Sequence, residues 1–254
     1  MVFWGGNCYD GVMENDKKMQ RLQGLARKAM QSYDMVAAGD AVCVGVSGGK
    51  DSIALAVALK ELSVYHEKPF TVQALTLDPC FGSEEMDLTA LTAFFAQRGI
   101  AHTVRRTAIG PLIFDVRKEK NPCALCAKMR RGALHTTAKE LGCNKVALGH
   151  HLDDAVETFY MNLFGEGRIG CFSPVTWLSR QQLHVIRPLV FAREFEVARA
   201  AVSIGAPVAK SRCPVDGETA RATAKAFVKE RSREDSAFCQ KTLGAMRKAK
   251  LDGW

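Results

Sequence analysis

The chain has 254 residues, 47% of them hydrophobic, and carries a formal net charge of +8. This length suits one large α/β domain with or without a small appendage, and no apolar run approaches the ~20 residues of a membrane span. The positive charge suits a polyanionic partner such as nucleic acid, although a basic enzyme that binds only nucleotides has the same property. The first residues are too few and too glycine-rich for a signal peptide, which predicts a cytoplasmic protein.

The predicted elements alternate between strands and helices along the chain. Residues 1–14 are expected to form a flexible arm, and a basic amphipathic helix is predicted for 15–32. Strands are then predicted at 41–46, 70–77, 101–105, 145–149 and 184–190, and helices at 53–62, 84–98, 123–141, 152–164 and 193–204. This order predicts a Rossmann-like parallel sheet flanked by helices, in which ligands lie beyond the carboxyl ends of the strands.

The composition changes near residue 218, which divides the chain into a predicted domain over 15–217 and a basic helical tail over 218–254. Between Arg221 and Lys250 there are nine Lys or Arg and three Asp or Glu. Two interpretations remain open from the sequence. The tail either contacts RNA phosphates or is a terminal helix pair that packs on the domain, with a break near Ser232.

A glycine-bearing turn joins the first predicted strand to the next helix, and it reads Ser47-Gly48-Gly49-Lys50-Asp51-Ser52. Glycine lets backbone amides approach a ligand closely, and the helix start adds N–H donors and the positive end of a dipole. These features predict a phosphate-binding loop in which the Ser47 and Ser52 hydroxyls and the charge of Lys50 lie beside the phosphates. Asp51 is negatively charged, so we expect it to hold Mg²⁺ instead.

The loop departs from the Walker A pattern and resembles the Ser-Gly-Gly-x-Asp-Ser loop of the N-type ATP pyrophosphatases. The resemblance implies a PP-loop ATPase fold of the adenine nucleotide alpha hydrolase-like type. It further implies that ATP is split between its α- and β-phosphates and that the substrate becomes adenylated. The rest of the nucleotide site is expected at neighbouring strand ends, near Leu77, Asp78, Gly149 and His150. The alternative is an ordinary strand–turn–helix corner.

Cys123 and Cys126 form a Cys-x-x-Cys pair at the start of the helix predicted for 123–141. The helix start and the nearby Lys128 and Arg130 are expected to lower the pKa values of these thiols. By itself the pair is compatible with half a zinc site, a redox disulfide or part of an iron–sulfur cluster. The chain has nine cysteines, and clustered cysteines in a cytosolic chain favour metal or redox chemistry over structural disulfides.

A third polar group, with His150, His151, Asp153 and Asp154, follows a predicted strand and opens a helix. Adjacent residues diverge around a helix, so the four side chains cannot all face one metal ion. The carboxylates are expected to cap the helix, to hold Mg²⁺ or to transfer protons near the adenylation centre.

These segments occur in a specific order: Ser-Gly-Gly-Lys-Asp-Ser, then Cys-x-Leu-Cys-x-x-x-Arg-Arg-Gly, then Gly-His-His-x-Asp-Asp-x-x-Glu-Thr, then Ile-Arg-Pro-Leu at 186–189. In this order they resemble the tRNA 2-thiocytidine synthetase (TtcA) family over roughly residues 20–230. The resemblance implies a tRNA thiolase that depends on ATP, Mg²⁺ and a 4Fe-4S cluster. It also implies that Asp154 is a catalytic residue with Arg130 as its basic partner. Arg130 and Lys128 are further expected to neutralise charge on a phosphate or a base oxygen, and Asp51, the expected Mg²⁺ ligand, completes the predicted catalytic set.

The resemblance implies a cluster on three cysteines, of which two are Cys123 and Cys126 and the third lies downstream. Cys213 is the downstream candidate. The best-known family pattern has a second Cys-x-x-Cys there, whereas this chain has Asp216 three positions on. This departure leaves open which tRNA base is thiolated.

The expected reaction is adenylation of a pyrimidine base, cytidine being favoured, followed by sulfur transfer that gives a 2-thio base. The expected partners are tRNA and a sulfur donor, either a cysteine desulfurase or sulfide, and a homodimer is compatible with the sequence. One alternative keeps the ATP site but changes the acceptor, giving 2-thiouridine formation or lysine addition. The other is a non-catalytic RNA-binding protein with a structural zinc.

Overall fold

The computed structural model describes residues 8–82, 86–118, 122–209, 213 and 220–254. Within these residues, six strands form one sheet in the order β3-β2-β1-β4-β6-β5. Their bounds are β1 Ala41–Val46, β2 Thr71–Asp78, β3 Ala101–Arg106, β4 Lys145–Ala147, β5 Val175–Leu178 and β6 Leu183–Ile186. Every pairing is parallel except that of β5 with β6, which is antiparallel. The predicted α/β fold is therefore confirmed, with an antiparallel edge hairpin that the sequence analysis missed.

The helices connect and cover these strands. Their bounds are α1 Cys8–Ser32, α2 Lys50–Tyr65, α3 Thr89–Ala96, α4 Ile109–Pro111, α5 Pro122–Glu140, α6 Leu152–Glu166, α7 Glu194–Ser203, α8 Ala220–Glu234 and α9 Phe238–Lys248. A π-helical turn, Leu112–Val116, follows α4, and a 3₁₀ turn, Leu251–Gly253, closes the chain. Of the helices described, none combines the length and hydrophobicity of a membrane span.

The central strand β1 is apolar on both faces because both faces are covered. Val42, Val44 and Val46 pack into the main core, whereas Cys43 belongs to a second apolar cluster with Leu134 of α5. Gly45 lets α5 approach, since a Cβ there would lie 3.0 Å from Leu134 Cδ2. Helix α5 therefore lies directly against the strand that leads into the phosphate loop.

Helix α1 begins earlier than the sequence pattern indicated, and helix α3 begins later. Helix α1 begins at Cys8, so residues 8–14 of the predicted flexible arm are helical, while 1–7 lie outside the described residues. Helix α3 begins at Thr89 instead of 84. The chain before it is held by Asp78, whose carboxylate accepts the backbone N–H of Cys80 at 2.9 Å and of Met86 at 3.3 Å.

The predicted basic tail forms two helices, α8 and α9, and both pack on α6. Tyr160 of α6 lies with its ring centroid 5.0 Å from Phe227 and 5.5 Å from Phe238. On α9, Leu243 and Met246 are buried in the main core. These contacts favour the interpretation of a helix pair that packs on the domain, and the boundary near 218 stays a prediction.

Candidate active site at the carboxyl ends of the strands

The predicted phosphate loop is a strand–turn–helix corner between β1 and α2. Gly48 has a φ of +84°, a conformation that disfavours any residue with a Cβ. The Ser52 hydroxyl accepts the N–H of Ser47 at 3.2 Å and donates to the Gly49 carbonyl at 2.9 Å. Serine hydroxyls therefore close the loop from within, and the start of α2 supplies the unpaired N–H groups that favour phosphate.

Lys50 lies at the centre of an ion-pair group beside the loop. Its Nζ is 3.1 Å from Asp51 Oδ1 and 3.3 Å from Glu194 Oε1, and Lys225 lies 3.3 Å from Glu194 Oε2. Burial would lower the pKa of Lys50, but the two carboxylates outweigh it and raise that pKa. Lys50 is therefore fully charged at neutral pH and is held by a helix that is distant in sequence.

The end of β4 packs against the backbone of the same loop at Gly149. A Cβ at this position would lie 3.1 Å from the carbonyl carbon of Asp51 and 3.1 Å from the nitrogen of Ser52. Gly149 is thus a packing residue of the loop, which gives a structural reason for its place in the predicted nucleotide site.

The substitution Gly149→Ala is expected to displace the loop by a few tenths of an ångström and to lower kcat/KM for ATP about tenfold, because small misplacements of reacting groups are costly. Steady-state kinetics with varied ATP measure this. The matched control is Gly24→Ala on exposed α1, where a Cβ meets nothing within 4 Å. The control is expected to retain activity and gain up to ~1 kcal/mol of stability. Unchanged ATP kinetics in Gly149→Ala would contradict the packing role.

A cavity of about 420 Å³ opens between the loop, the strand ends and α5. Four of the predicted site residues line it: Ser47, Leu77, Arg130 and His150. The other lining residues are Gly45, Val46, Leu75, Ala127, Arg131, Leu134, His135, Leu148, Phe172 and Arg187. The lining is thus mostly apolar and includes cationic groups. Such a lining suits a planar base with a negatively charged phosphate next to it.

Arg187 and Phe172 are two of the cavity residues that the sequence analysis did not assign to the site. Arg187 Nη1 donates to the Ser173 carbonyl at 2.6 Å and to Thr176 Oγ1 at 3.2 Å, and its guanidinium carbon is 5.0 Å from the Phe172 ring centroid. Burial lowers the pKa of Arg187 to about 10, so it remains a cation at neutral pH. The only sequence signal was the Ile-Arg-Pro-Leu segment, and Phe172 had none.

Two of the predicted catalytic residues, Arg130 and Asp51, lie at the cavity or in the phosphate loop, and the other two, Lys128 and Asp154, do not. Arg130 lines the cavity from α5, and Asp51 lies in the loop, whereas Lys128 is exposed on α5. Asp154 takes part in the capping box of α6: its Oδ2 accepts the His151 N–H at 2.8 Å, and its N–H donates to His151 Nδ1 at 3.4 Å. The cap that the sequence predicted for this helix is therefore present, and a proton-transfer role for Asp154 stays a prediction.

Asp78 and Asp153 are buried carboxylates with structural partners. Asp78 organises the chain after β2, as described above. Asp153 accepts the Arg193 Nε–H at 3.0 Å and the Glu194 N–H at 2.6 Å, which ties the start of α6 to the start of α7. Because Glu194 holds Lys50, Asp153 supports the phosphate loop indirectly.

Cys123 and Cys126 lie on the first turns of α5, where Cys123 is exposed and Cys126 is buried. Burial raises the pKa of Cys126 more than Arg130 lowers it, so the predicted lowering is wrong for this thiol. Negative charge on Cys213 and on Cys123 also raises this pKa. Within the described part of the chain, no group of three His, Cys, Asp or Glu side chains is arranged so that it could hold a metal ion.

The segment that leads to Cys213 is attached to the phosphate loop. The Ala209 N–H donates to the Gly48 carbonyl at 3.0 Å, and the Ala209 Cβ lies 3.1 Å from where a Gly48 Cβ would be. Residues 210–212 and 214–219 are outside the described residues. The loop thus contacts both the domain core and the chain that carries the third cysteine.

The fold and the loop together define the class of protein, an α/β protein of the PP-loop type, and residues 18–205 match the family described as PP-loop domain. A tRNA-cytidine(32) 2-sulfurtransferase of Syntrophotalea carbinolica is 37% identical over 200 residues, which are 78% of this chain and 76% of that protein. The enzyme of the same name from Geobacter metallireducens is 33% identical over 91% of each chain. The chain therefore belongs to the tRNA-cytidine(32) 2-sulfurtransferase family.

A solved structure agrees with this fold. The U34-tRNA thiolase NcsA from Methanococcus maripaludis, with its 4Fe-4S cluster, superimposes with a TM-score of 0.76 at 22% identity, covering 92% of this chain and 79% of that one. At this identity the similarity shows the fold.

Proposed function

We propose that this protein is an ATP-dependent tRNA sulfurtransferase that converts a cytidine, position 32 by analogy with its relatives, into 2-thiocytidine. The observation that carries the proposal is the shared cavity. Ser47 of the phosphate loop lines one side of it, and Ala127 and Arg130 of the cysteine-bearing helix line another. A space of about 420 Å³, within the range of small-molecule pockets, thus lies between the phosphate loop and the helix that carries Cys123 and Cys126.

ATP is bound through the loop and the start of α2. The amides of Gly48, Gly49 and Lys50 face the β- and γ-phosphates, and the Lys50 ammonium neutralises part of their charge. Asp51 would hold Mg²⁺, whose charge would offset the repulsion between the Asp51 carboxylate and the phosphates. Leu77 contributes apolar contact to the adenine.

The target base enters the same cavity after it leaves the base stack of a tRNA loop. The cytosine O2 attacks the α-phosphorus, an O–P bond forms, and the bond to the bridging oxygen breaks as pyrophosphate departs. Arg130 and Arg187 stabilise the negative charge that develops on the phosphate. Sulfide then bonds to C2, the C2–O bond breaks, and AMP leaves with the oxygen. Where a cysteine desulfurase is the donor, an external thiol reductant first supplies the two electrons that bring its persulfide sulfur to the sulfide level.

The donor chemistry of the residues present fits the cluster implied by the family. Cys123 and Cys126 lie on the same helix start, Cys126 is buried, and the positive charge of Arg130 lowers the pKa of its thiol against the effect of burial. Three thiolates would hold a 4Fe-4S cluster and leave one iron open to bind sulfur. The chain's own contribution is to hold Cys123 and Cys126 on the first turns of α5, next to Ala127 of the cavity, and to offset their charge with Arg130.

The test is nucleoside analysis of tRNA after reaction. Cytidine-containing tRNA, ATP, Mg²⁺ and sulfide are incubated with the anaerobically reconstituted protein, and nucleosides are resolved by mass spectrometry. We expect 2-thiocytidine, with one AMP and one pyrophosphate formed per thiolation. Thiolated uridine in its place would change the substrate assignment, and a lysine adduct or an absence of AMP would overturn the proposal.

A further inference from the structure

A basic cleft lies on the side of the molecule formed by α1 and α7. Its volume is about 650 Å³, and four of its six lining residues are cationic. The lining residues are Lys17, Lys18, Arg21, Phe195, Glu196 and Arg199. No step of the proposed reaction uses this cleft.

The single acidic residue that lines the cleft is committed to the fold. Glu196 is buried, its Oε2 accepts the Arg193 N–H at 2.9 Å at the start of α7, and its Oε1 pairs with Arg21 at 2.6 Å. Farther along α1, Gln23 hydrogen-bonds to Glu61. Lys17 and Arg199 are exposed, so the cleft presents net positive charge to solvent.

The cleft also has an exposed aromatic side chain. Phe195 keeps 48% of its surface accessible, and the Arg199 guanidinium carbon lies 5.4 Å from its ring centroid. A ring beside cations is the arrangement that binds a ribose or an unstacked base next to a phosphate. A simple counter-ion site needs no exposed aromatic ring.

The positive charge continues along α1 beyond the cleft. Lys28 and Arg247 of α9 both lie over the Phe191 ring, at 5.9 and 5.4 Å from its centroid. From Lys17 to Lys28 the helix advances about 16 Å, at 1.5 Å per residue. The surface is therefore an extended basic stripe, which suits a polymer of phosphates better than a small anion.

The stripe is connected to the active site through the first turn of α7. Glu194, which precedes Phe195, pairs with Lys50 of the phosphate loop at 3.3 Å. A polyanion on the stripe would thus lie within one helical turn of the residue that organises the ATP site. We propose that the stripe formed by Lys17, Lys28 and Arg199 binds the sugar–phosphate backbone of the substrate tRNA, an inference that rests on the proposed function.

The experiment measures tRNA binding as a function of salt. The test variant is Lys17→Gln with Arg199→Gln, and the matched control is Lys139→Gln with Arg180→Gln, two exposed cations elsewhere with the same charge change. Each lost phosphate contact reduces the slope of log K against log[salt] by about 0.7 to 0.9. We therefore expect a slope reduced by about 1.5 and about tenfold weaker binding for the test variant, with the control unchanged.

A second variant and a second readout separate the possible outcomes. Lys28→Gln alone is expected to remove one phosphate contact and so to reduce the slope of log K against log[salt] by about 0.7 to 0.9. The KM for ATP is expected to remain the same in every variant, because none of these side chains lines the cavity. Equal slopes for test and control would overturn the tRNA stripe, whereas wild-type protein that binds tRNA but forms no thiolated nucleoside would overturn the proposed function instead.

Discussion

The variant Cys126→Ser is expected to fold, to bind ATP with an affinity within about threefold of wild type, and to retain less than a third of the iron of wild type after anaerobic reconstitution. Serine is nearly isosteric with cysteine, but its hydroxyl does not ionise near neutral pH and is a poor ligand for iron. Cys126 is the buried thiol of the Cys-x-x-Cys pair on α5, so its loss removes one of the three proposed ligands. Thiolation is expected to fall at least 100-fold.

The measurements are iron and acid-labile sulfide per chain, visible absorption, and 2-thiocytidine formation. The control is Cys80→Ser. Like Cys126, Cys80 is a free thiol; it is half-buried and follows a strand at the same edge of the sheet. It is expected to keep wild-type iron content and activity. Full iron content in Cys126→Ser would remove this residue from the cluster, and stoichiometric zinc in the wild-type protein would favour a structural metal.

The phosphate loop and the central strands could be predicted from the sequence because their signals are local. An apolar run, a glycine turn and a run of helix formers occupy consecutive positions from Ala41 to Leu62, so no tertiary information is needed. The β5–β6 hairpin was missed for the opposite reason. Strand β6 overlaps the segment predicted at 184–190, but β5 has only four residues. That β6 pairs parallel to β4 and antiparallel to β5 is decided only in the assembled sheet.

The properties of the site residues could not be predicted, because they depend on tertiary contacts that no sequence pattern contains. Sequence reasoning placed positive charge and a helix start beside Cys126 and expected a low pKa, but the folded protein buries the thiol, and burial raises that pKa. Likewise, Asp78 follows a strand as an active-site carboxylate would, yet its oxygens accept backbone N–H groups of Cys80 and Met86. Spacing predicts which residues reach the rim, whereas burial and partners decide what each can do there.

The phosphate loop is held from two sides by segments that are distant in sequence. The carbonyl of Gly48 accepts a hydrogen bond from Ala209, four residues before Cys213, and Lys50 is held by Glu194. The loop is therefore tied both to α7 and to the segment that leads to Cys213.

The variant Arg187→Met is expected to lower kcat/KM for tRNA thiolation about 100-fold with little change in stability. Arg187 Nε is buried without a hydrogen-bond partner among the described residues, and the guanidinium faces the cavity beside Phe172. A buried cation with an unpaired donor costs free energy in the empty site, and a charged hydrogen bond to substrate contributes about 1.5–3 kcal/mol. Methionine fills a similar volume, so little packing is lost. The loss of the hydrogen bonds to Ser173 and Thr176 is offset because the variant no longer buries a cation with an unpaired donor.

Kinetics of 2-thiocytidine formation and a thermal midpoint, expected to shift by no more than about 4 °C, measure the two effects. Arg187→Lys keeps the charge but loses the planar fork, and it is expected to recover only part of the activity. Arg180→Met, on the exposed turn between β5 and β6, is the matched control and is expected to behave as wild type. If Arg187→Met kept its activity within threefold while its thermal midpoint fell by 10 °C or more, Arg187 would be a structural residue, and the negative charge formed during adenylation would have to be stabilised by Arg130 and the loop alone.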